Sequence, residues 1–158
     1  MPKYTVSPVD QFVWTPAHLA GDIADATVSG FANPRKEELD NRKEGLELVR
    51  KRDFRNAVPY WERHLEQWPG DQLAQFYYAE SLRETGQYLQ AADVFSILRN
   101  SSSIYPDAVL LHQAICYLQI PKGCDSARAN LDLLFARYPD SPLLSEAQPF
   151  RSVAENCQ

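Results

Sequence analysis

Apolar residues recur at the three- and four-residue spacing of amphipathic helices from about residue 34 onward. The segment 54–67 shows this clearly, because Ala57, Val58, Trp61 and Leu65 fall on one helical face. Helix-stopping and helix-capping residues separate the periodic segments, as in Trp68-Pro69-Gly70-Asp71. The pattern predicts seven helices, over about 34–52, 54–67, 71–85, 88–99, 107–119, 125–137 and 143–154.

The predicted helices form a tandem repeat. The set Gly45, Phe54, Ala57 and Trp61 returns 34 residues later as Ala79, Tyr88, Ala91 and Phe95. A third set, with Ala114 and Ala127, follows after one extra residue in its turn. A period of 34 residues is typical of helix-turn-helix units, which cannot bury their apolar faces alone and therefore stack into a solenoid.

The spacing and residue size together resemble tetratricopeptide repeats over about Pro34 to Pro139. Small side chains fall where that family needs its helices to cross closely, and aromatic side chains fall at its wedge positions. Two departures stand out, since Arg52 replaces a glycine and Cys124 replaces an aromatic residue. The resemblance implies an all-α solenoid with repeats over about 34–70, 71–106 and 107–140, a capping helix over about 142–155 and a mostly irregular N-terminal arm over 1–33.

The resemblance also implies that a protein or peptide binds in a concave groove formed by the first helix of each pair. A carboxylate clamp would need lysine and asparagine, whereas the matching positions hold Arg42 and Leu46. We therefore expect an apolar extended or helical segment as the ligand. The groove positions are Leu39, Arg42, Leu46 and Val49 in the first repeat, Leu73, Phe76, Glu80 and Arg83 in the second, and Ala108, Leu111, Ile115 and Leu118 in the third.

A second interpretation of the groove stays open. Any of these residues could be ordinary core covered by the N-terminal arm, because Phe12, Trp14 and Phe31 of the arm also favour burial. Burying a Leu or Phe stabilises by roughly 1.5–3 kcal/mol in either case. A groove occupied in this way would make the arm a gate.

Charge, hydropathy and cysteine content restrict the expected ligands and the expected location of the protein. The formal charge is −5, with 16 basic and 21 acidic residues, so nucleic acid is not an expected ligand. We expect no direct membrane insertion, because no apolar run approaches the length of a membrane span. Without a recognisable leader the expected location is cytoplasmic, and periplasmic if the chain is trimmed. The three cysteines are expected to be free buried thiols, with Cys116–Cys124 and Cys124–Cys157 pairs as alternatives.

The sequence offers no candidate catalytic residues, and no cofactor or metal site is predicted. His18, His64 and His112 are scattered and lack the spacing of a zinc site. We found no phosphate-binding glycine loop, serine nucleophile elbow or metalloprotease helix.

The favoured function is a non-catalytic scaffold or adaptor. Three alternatives stay open: a class II chaperone of type III secretion, a bacterial envelope assembly or cell-division accessory factor, and a regulatory domain of a larger protein. Homodimerisation also stays open.

Overall fold

The computed structural model describes residues 36–101 and 104–157, and these residues form helices with no strand among them. The expected all-α architecture is confirmed. The N-terminal arm over 1–33 lies outside the described residues, as does the predicted start of the first helix at about residue 34. The helices are α1 Lys36–Arg50, α2 Phe54–Gln67, α3 Gln72–Glu84, α4 Tyr88–Asn100, α5 Pro106–Leu118, α6 Cys124–Arg137 and α7 Leu144–Glu155.

Side-chain caps and proline set several of these helix starts. Asp53 accepts a hydrogen bond from the Asn56 N–H at the start of α2, and Asp71 accepts one from the Ala74 N–H at the start of α3. α5 begins on Pro106, whose missing N–H needs no partner in the first turn. The observed bounds therefore differ from the predicted ones by no more than one or two residues at the ends that the structure describes.

The turns inside the first two helical pairs, α1–α2 and α3–α4, share one backbone hydrogen bond. The Asp53 N–H bonds to the Leu48 carbonyl, and the Gln87 N–H bonds to the Leu82 carbonyl. This bond closes a helix with one residue in the left-handed region. That residue is Gly86 in the second turn, with φ +80°, and Arg52 in the first, with φ +58°. The turn is kept although Arg52 lacks the conformational freedom of glycine.

Six of the seven helices form three successive pairs in two layers, and α7 packs on the last pair. Each helix packs against the next along the chain, and α1, α3, α5 and α7 also contact one another in sequence. The second helices of the pairs, α2, α4 and α6, make no such mutual contacts within the described residues. Because successive first helices touch and successive second helices do not, we call the layer of first helices the inner layer.

The close helix crossing predicted at the small residues is present. Gly45 of α1 packs against the indole of Trp61 in α2, and Trp61 is fully buried. Ala57, Ala79 and Ala91 are also fully buried between helices. Small side chains at these points let large neighbours fill the space between the layers.

The cysteine prediction is wrong for two of the three residues. Cys124, the first residue of α6, forms a disulfide with Cys157, which follows α7, at a Cα–Cα distance of 5.7 Å. Cys116 is the free buried cysteine. The sequence could not choose among the pairings, because only the return of α7 along α6 brings Cys157 to Cys124.

No helix in the described part of the chain combines the length and apolar character needed to cross a bilayer.

Candidate functional site

All twelve predicted groove residues belong to α1, α3 and α5, and we call the surface that they are predicted to form the inner face. Eleven of them are buried and Leu39 is half-buried. Their assignment to a binding groove stays a prediction. Nine of the twelve are apolar, and they come from three successive repeats.

α3 and α5 are buried on nearly all sides. Pro106 is the one residue of these two helices that is exposed. Phe76 of α3 lies at the centre, with its ring 5.3 Å from that of Tyr105 and 6.2 Å from those of Phe95 and His112. A helix enclosed in this way behaves as a core element, and its inner face excludes water.

A first buried polar cluster joins α1, α2 and the start of α3. Arg42 makes two contacts with the carboxylate of Asp71, at 3.1 and 3.0 Å. His64 lies 2.7 Å from the same carboxylate through Nε2 and 3.0 Å from Asn41 through Nδ1. Burial alone would raise the pKa of Asp71, but the hydrogen bonds from His64 and Arg42 hold it below its usual range. Asp71 therefore caps α3 and ties the first repeat to the second.

A second buried polar cluster joins α3 and α5. Arg83 donates to Glu80 at 3.0 Å and to Glu84 at 3.0 Å, and His112 of α5 contacts the other oxygen of Glu80. Burial by itself raises the pKa of Glu80, but the charges of Arg83 and His112 outweigh it and bring the pKa to about 2. The Glu80 carboxylate is thus ionised and held by groups from two repeats.

Cys116 lies beside this second cluster, one helical turn after His112. A thiol near an imidazole and a carboxylate has the composition of a nucleophile, base and orienting group. Burial, however, raises the pKa of Cys116 to about 12, which is the reverse of what an activated thiol requires. The arrangement therefore favours structure over thiolate chemistry.

The described histidines serve packing and hydrogen bonding. Both His64 and His112 are buried, and each contacts a carboxylate of a neighbouring helix or cap. No group of three or more metal-binding side chains occurs among residues 36–101 and 104–157. His18 lies outside the residues that the structure describes.

The sequence pattern predicts neither polar cluster. It places Arg42, Glu80 and Arg83 in the groove and Asp71 at a helix cap, and it indicates no contact between them. The partners are 29 residues apart for Arg42 and Asp71 and 32 apart for Glu80 and His112. The sequence does hold one signal of these clusters. Charged and imidazole side chains interrupt helical faces that are otherwise apolar, and such side chains need polar partners when they are buried.

The outer face offers a different surface. Leu89 and Ile97 of α4 are the large hydrophobic residues that are exposed in the described part of the chain, at 61% and 57%. Leu89 borders a cleft of about 410 Å³ with Ile120 and Pro121 from the next repeat. Scattered exposed apolar residues of this kind are ordinary on protein surfaces.

Comparison with known protein families matches residues 42–109 to the tetratricopeptide repeat model. The matched span runs from the middle of α1 into the start of α5 and includes eight of the twelve predicted groove residues. The resemblance that the sequence indicated is confirmed there. No curated protein and no solved structure matches the chain.

Proposed function

The chain carries tetratricopeptide repeats over residues 42–109, and on that premise we propose that it is a non-catalytic scaffold that binds an apolar segment of a partner protein along the inner face. Tetratricopeptide repeats generally act as protein-interaction modules, and this general role is what the family match supports. The finer proposal concerns the face that binds and the chemistry of the ligand.

The observation that carries the proposal is the apolar character of the inner face across three repeats. Leu46, Phe76 and Leu111 come from three different first helices and are all fully buried, so a partner segment would have to take the place of the groups that cover them. Such a face is stable only against apolar groups, because polar groups placed there would lose water without gaining partners. An extended or helical segment with apolar side chains meets this requirement.

The buried charges on the inner face support an apolar ligand as well. The Arg42 guanidinium is engaged by Asp71, and Arg83 is engaged by Glu80 and Glu84. A carboxylate ligand would have to compete with these buried carboxylates for the same donors. We therefore propose that the ligand binds through side-chain packing and not through a terminal carboxylate.

The proposed partner is another protein and not nucleic acid or a second copy of the chain. A formal charge of −5 disfavours nucleic acid. A second copy of the chain is the remaining alternative to a different protein. Light scattering coupled to size-exclusion chromatography distinguishes a homodimer from a monomer that binds another protein. A homodimer would show twice the 18.0 kDa mass of one chain.

The test uses photocrosslinking at two leucines that differ in position. p-Benzoylphenylalanine replaces Leu39, half-buried on the inner face, and in a separate variant replaces Leu89, exposed on the outer face. We expect the variant at 39 to crosslink in native cells to an apolar segment of another protein. The matched variant at 89 should not capture that segment.

A synthetic peptide of the mapped segment then gives the affinity. Leu39→Glu should weaken binding by about tenfold, the effect of losing roughly half of the burial of one leucine, and Leu89→Glu should leave binding unchanged. Crosslinks from position 89 alone would move binding to the outer face. Crosslinks from position 39 to residues 1–33 of the same chain would contradict binding in trans and favour the gate interpretation.

A further inference from the structure

The C-terminal helix is held to the last repeat by a small noncovalent interface. α7 buries three residues, Ala147, Phe150 and Ala154. Two of these are alanines, and the larger apolar residues Leu144 and Val153 of the same helix are only partly buried against the core. A short helix with so little buried apolar surface needs further contacts to stay folded against the last repeat.

The polar contacts of α7 with α6 lie near the surface. Arg128 of α6 donates to the Ala154 carbonyl at 3.0 Å, and Arg151 of α7 lies 3.5 Å from Asp132 and 4.5 Å from the ring centre of Phe135. The Arg151 and Asp132 side chains are 34% and 59% exposed. Exposed ion pairs contribute little.

The disulfide supplies the missing attachment at the end of α7. Cys124 opens α6 and Cys157 follows the last turn of α7, so the bond closes a loop that contains both helices. Cys116 is kept out of this pairing, because it is fully buried in α5 and its pKa is raised to about 12 by burial. Three cysteines therefore have one productive pairing in the folded chain.

We propose that this protein works in an oxidising compartment outside the cytoplasm, such as a periplasm or a secretory lumen, and that the Cys124–Cys157 disulfide fastens its last helix there. Disulfides persist in such compartments and are reduced in the cytosol. This inference favours the periplasmic alternative of the sequence analysis over the cytoplasmic one, and it does not depend on what the inner face binds.

The bond forms by thiol–disulfide exchange with a disulfide-bearing oxidant. One cysteine thiolate attacks the oxidant's disulfide, which gives a mixed disulfide and releases one oxidant thiolate. The second cysteine thiolate then attacks the sulfur of the first cysteine and displaces the other oxidant thiolate. Two electrons and two protons pass to the oxidant, which leaves as a dithiol.

The test measures the thiol state of the full chain in its native cells. Cells are quenched in acid, and the denatured protein is alkylated with a mass-tagged maleimide before or after reduction. We expect one tag, on Cys116, before reduction and three tags after it, with peptide mapping that joins Cys124 to Cys157. A Cys116→Ala variant should give no tag before reduction and two afterwards.

Limited proteolysis tests the fastening role. Reduction of the purified protein should raise the rate of cleavage within residues 138–157 by about tenfold or more, since the helix then opens without a covalent tie. The paired variant Cys124→Ser with Cys157→Ser should be cleaved at that faster rate whether or not reductant is present. Three tags before reduction in native cells, a pairing that involves Cys116, or cleavage unaffected by reduction would overturn the proposal.

Discussion

Replacing Gly45 with alanine tests the closest helix crossing in the structure. A Cβ added at Gly45 would lie 2.5, 2.7 and 2.8 Å from three ring carbons of Trp61. Carbon atoms in packed interiors normally stay about 3.5–4.0 Å apart. α1 or the indole must therefore move by about 1 Å, and the indole is fully buried with no solvent side to move toward.

The magnitude follows from two opposing effects. Overpacking of a well-packed site costs about 1–3 kcal/mol. Alanine favours an interior helix position over glycine by about 0.5–1 kcal/mol. We therefore expect Gly45→Ala to lower the free energy of unfolding by about 1–2 kcal/mol.

Urea unfolding followed by far-ultraviolet circular dichroism measures this change. Gly70→Ala is the matched control, because a Cβ at Gly70 meets nothing within 4 Å, and its effect should stay within about 0.5 kcal/mol. Combining Gly45→Ala with Trp61→Phe should recover at least about 0.5 kcal/mol relative to the sum of the single changes. A Gly45→Ala protein as stable as the parent would refute the close crossing.

Three further predictions concern the first turn, the second polar cluster and the disulfide. Arg52→Gly should raise the free energy of unfolding by about 0.5 kcal/mol, because the left-handed strain of arginine costs more than the extra chain entropy of glycine. Gly86→Ala should lower the free energy of unfolding in the same urea assay. A loss of stability in Arg52→Gly would contradict the turn geometry. The lowered pKa of Glu80 contributes stability that is present above its ordinary value of 4.5 and lost as the pH falls toward about 2. In Glu80→Gln, the urea midpoint should therefore fall less steeply between pH 4.5 and about pH 2 than in the parent protein. An equally steep fall in both proteins would exclude this role of Glu80. Removing the disulfide, which joins residues 33 apart, should lower the free energy of unfolding by about 2–4 kcal/mol. The measurement compares the urea midpoints of the oxidised protein and of the double variant Cys124→Ser with Cys157→Ser. Equal midpoints would contradict a stabilising role of the disulfide.

The helices themselves were predictable because their signals are local. Asp71 caps α3, Pro106 opens α5, and the apolar spacing of 54–67 matches α2. The repeat was predictable as well, since small residues at a fixed interval impose the same close crossing in each pair. The turn at Arg52 shows how strong this is, because the stacking of the first pair holds a left-handed arginine where the second pair has Gly86.

The state of the candidate groove could not be predicted in the same way. Helical periodicity places Phe76 and Leu111 on one face, but it does not say whether that face is open or enclosed. Their complete burial depends on packing between elements distant in the chain. The two buried polar clusters have the same origin, because each pairs charges about thirty residues apart.

The sequence by itself determined the helices, their pairing and the repeat, since capping, periodicity and side-chain size act over a few residues or recur at a fixed interval. Only the tertiary structure decided that Glu80 meets His112, that Asp71 receives both Arg42 and His64, and that Cys157 returns to Cys124. These contacts depend on the rotation and crossing of stacked helices. Between repeats, those are set by the sum of many side-chain contacts, which the residue spacing along one helix does not specify.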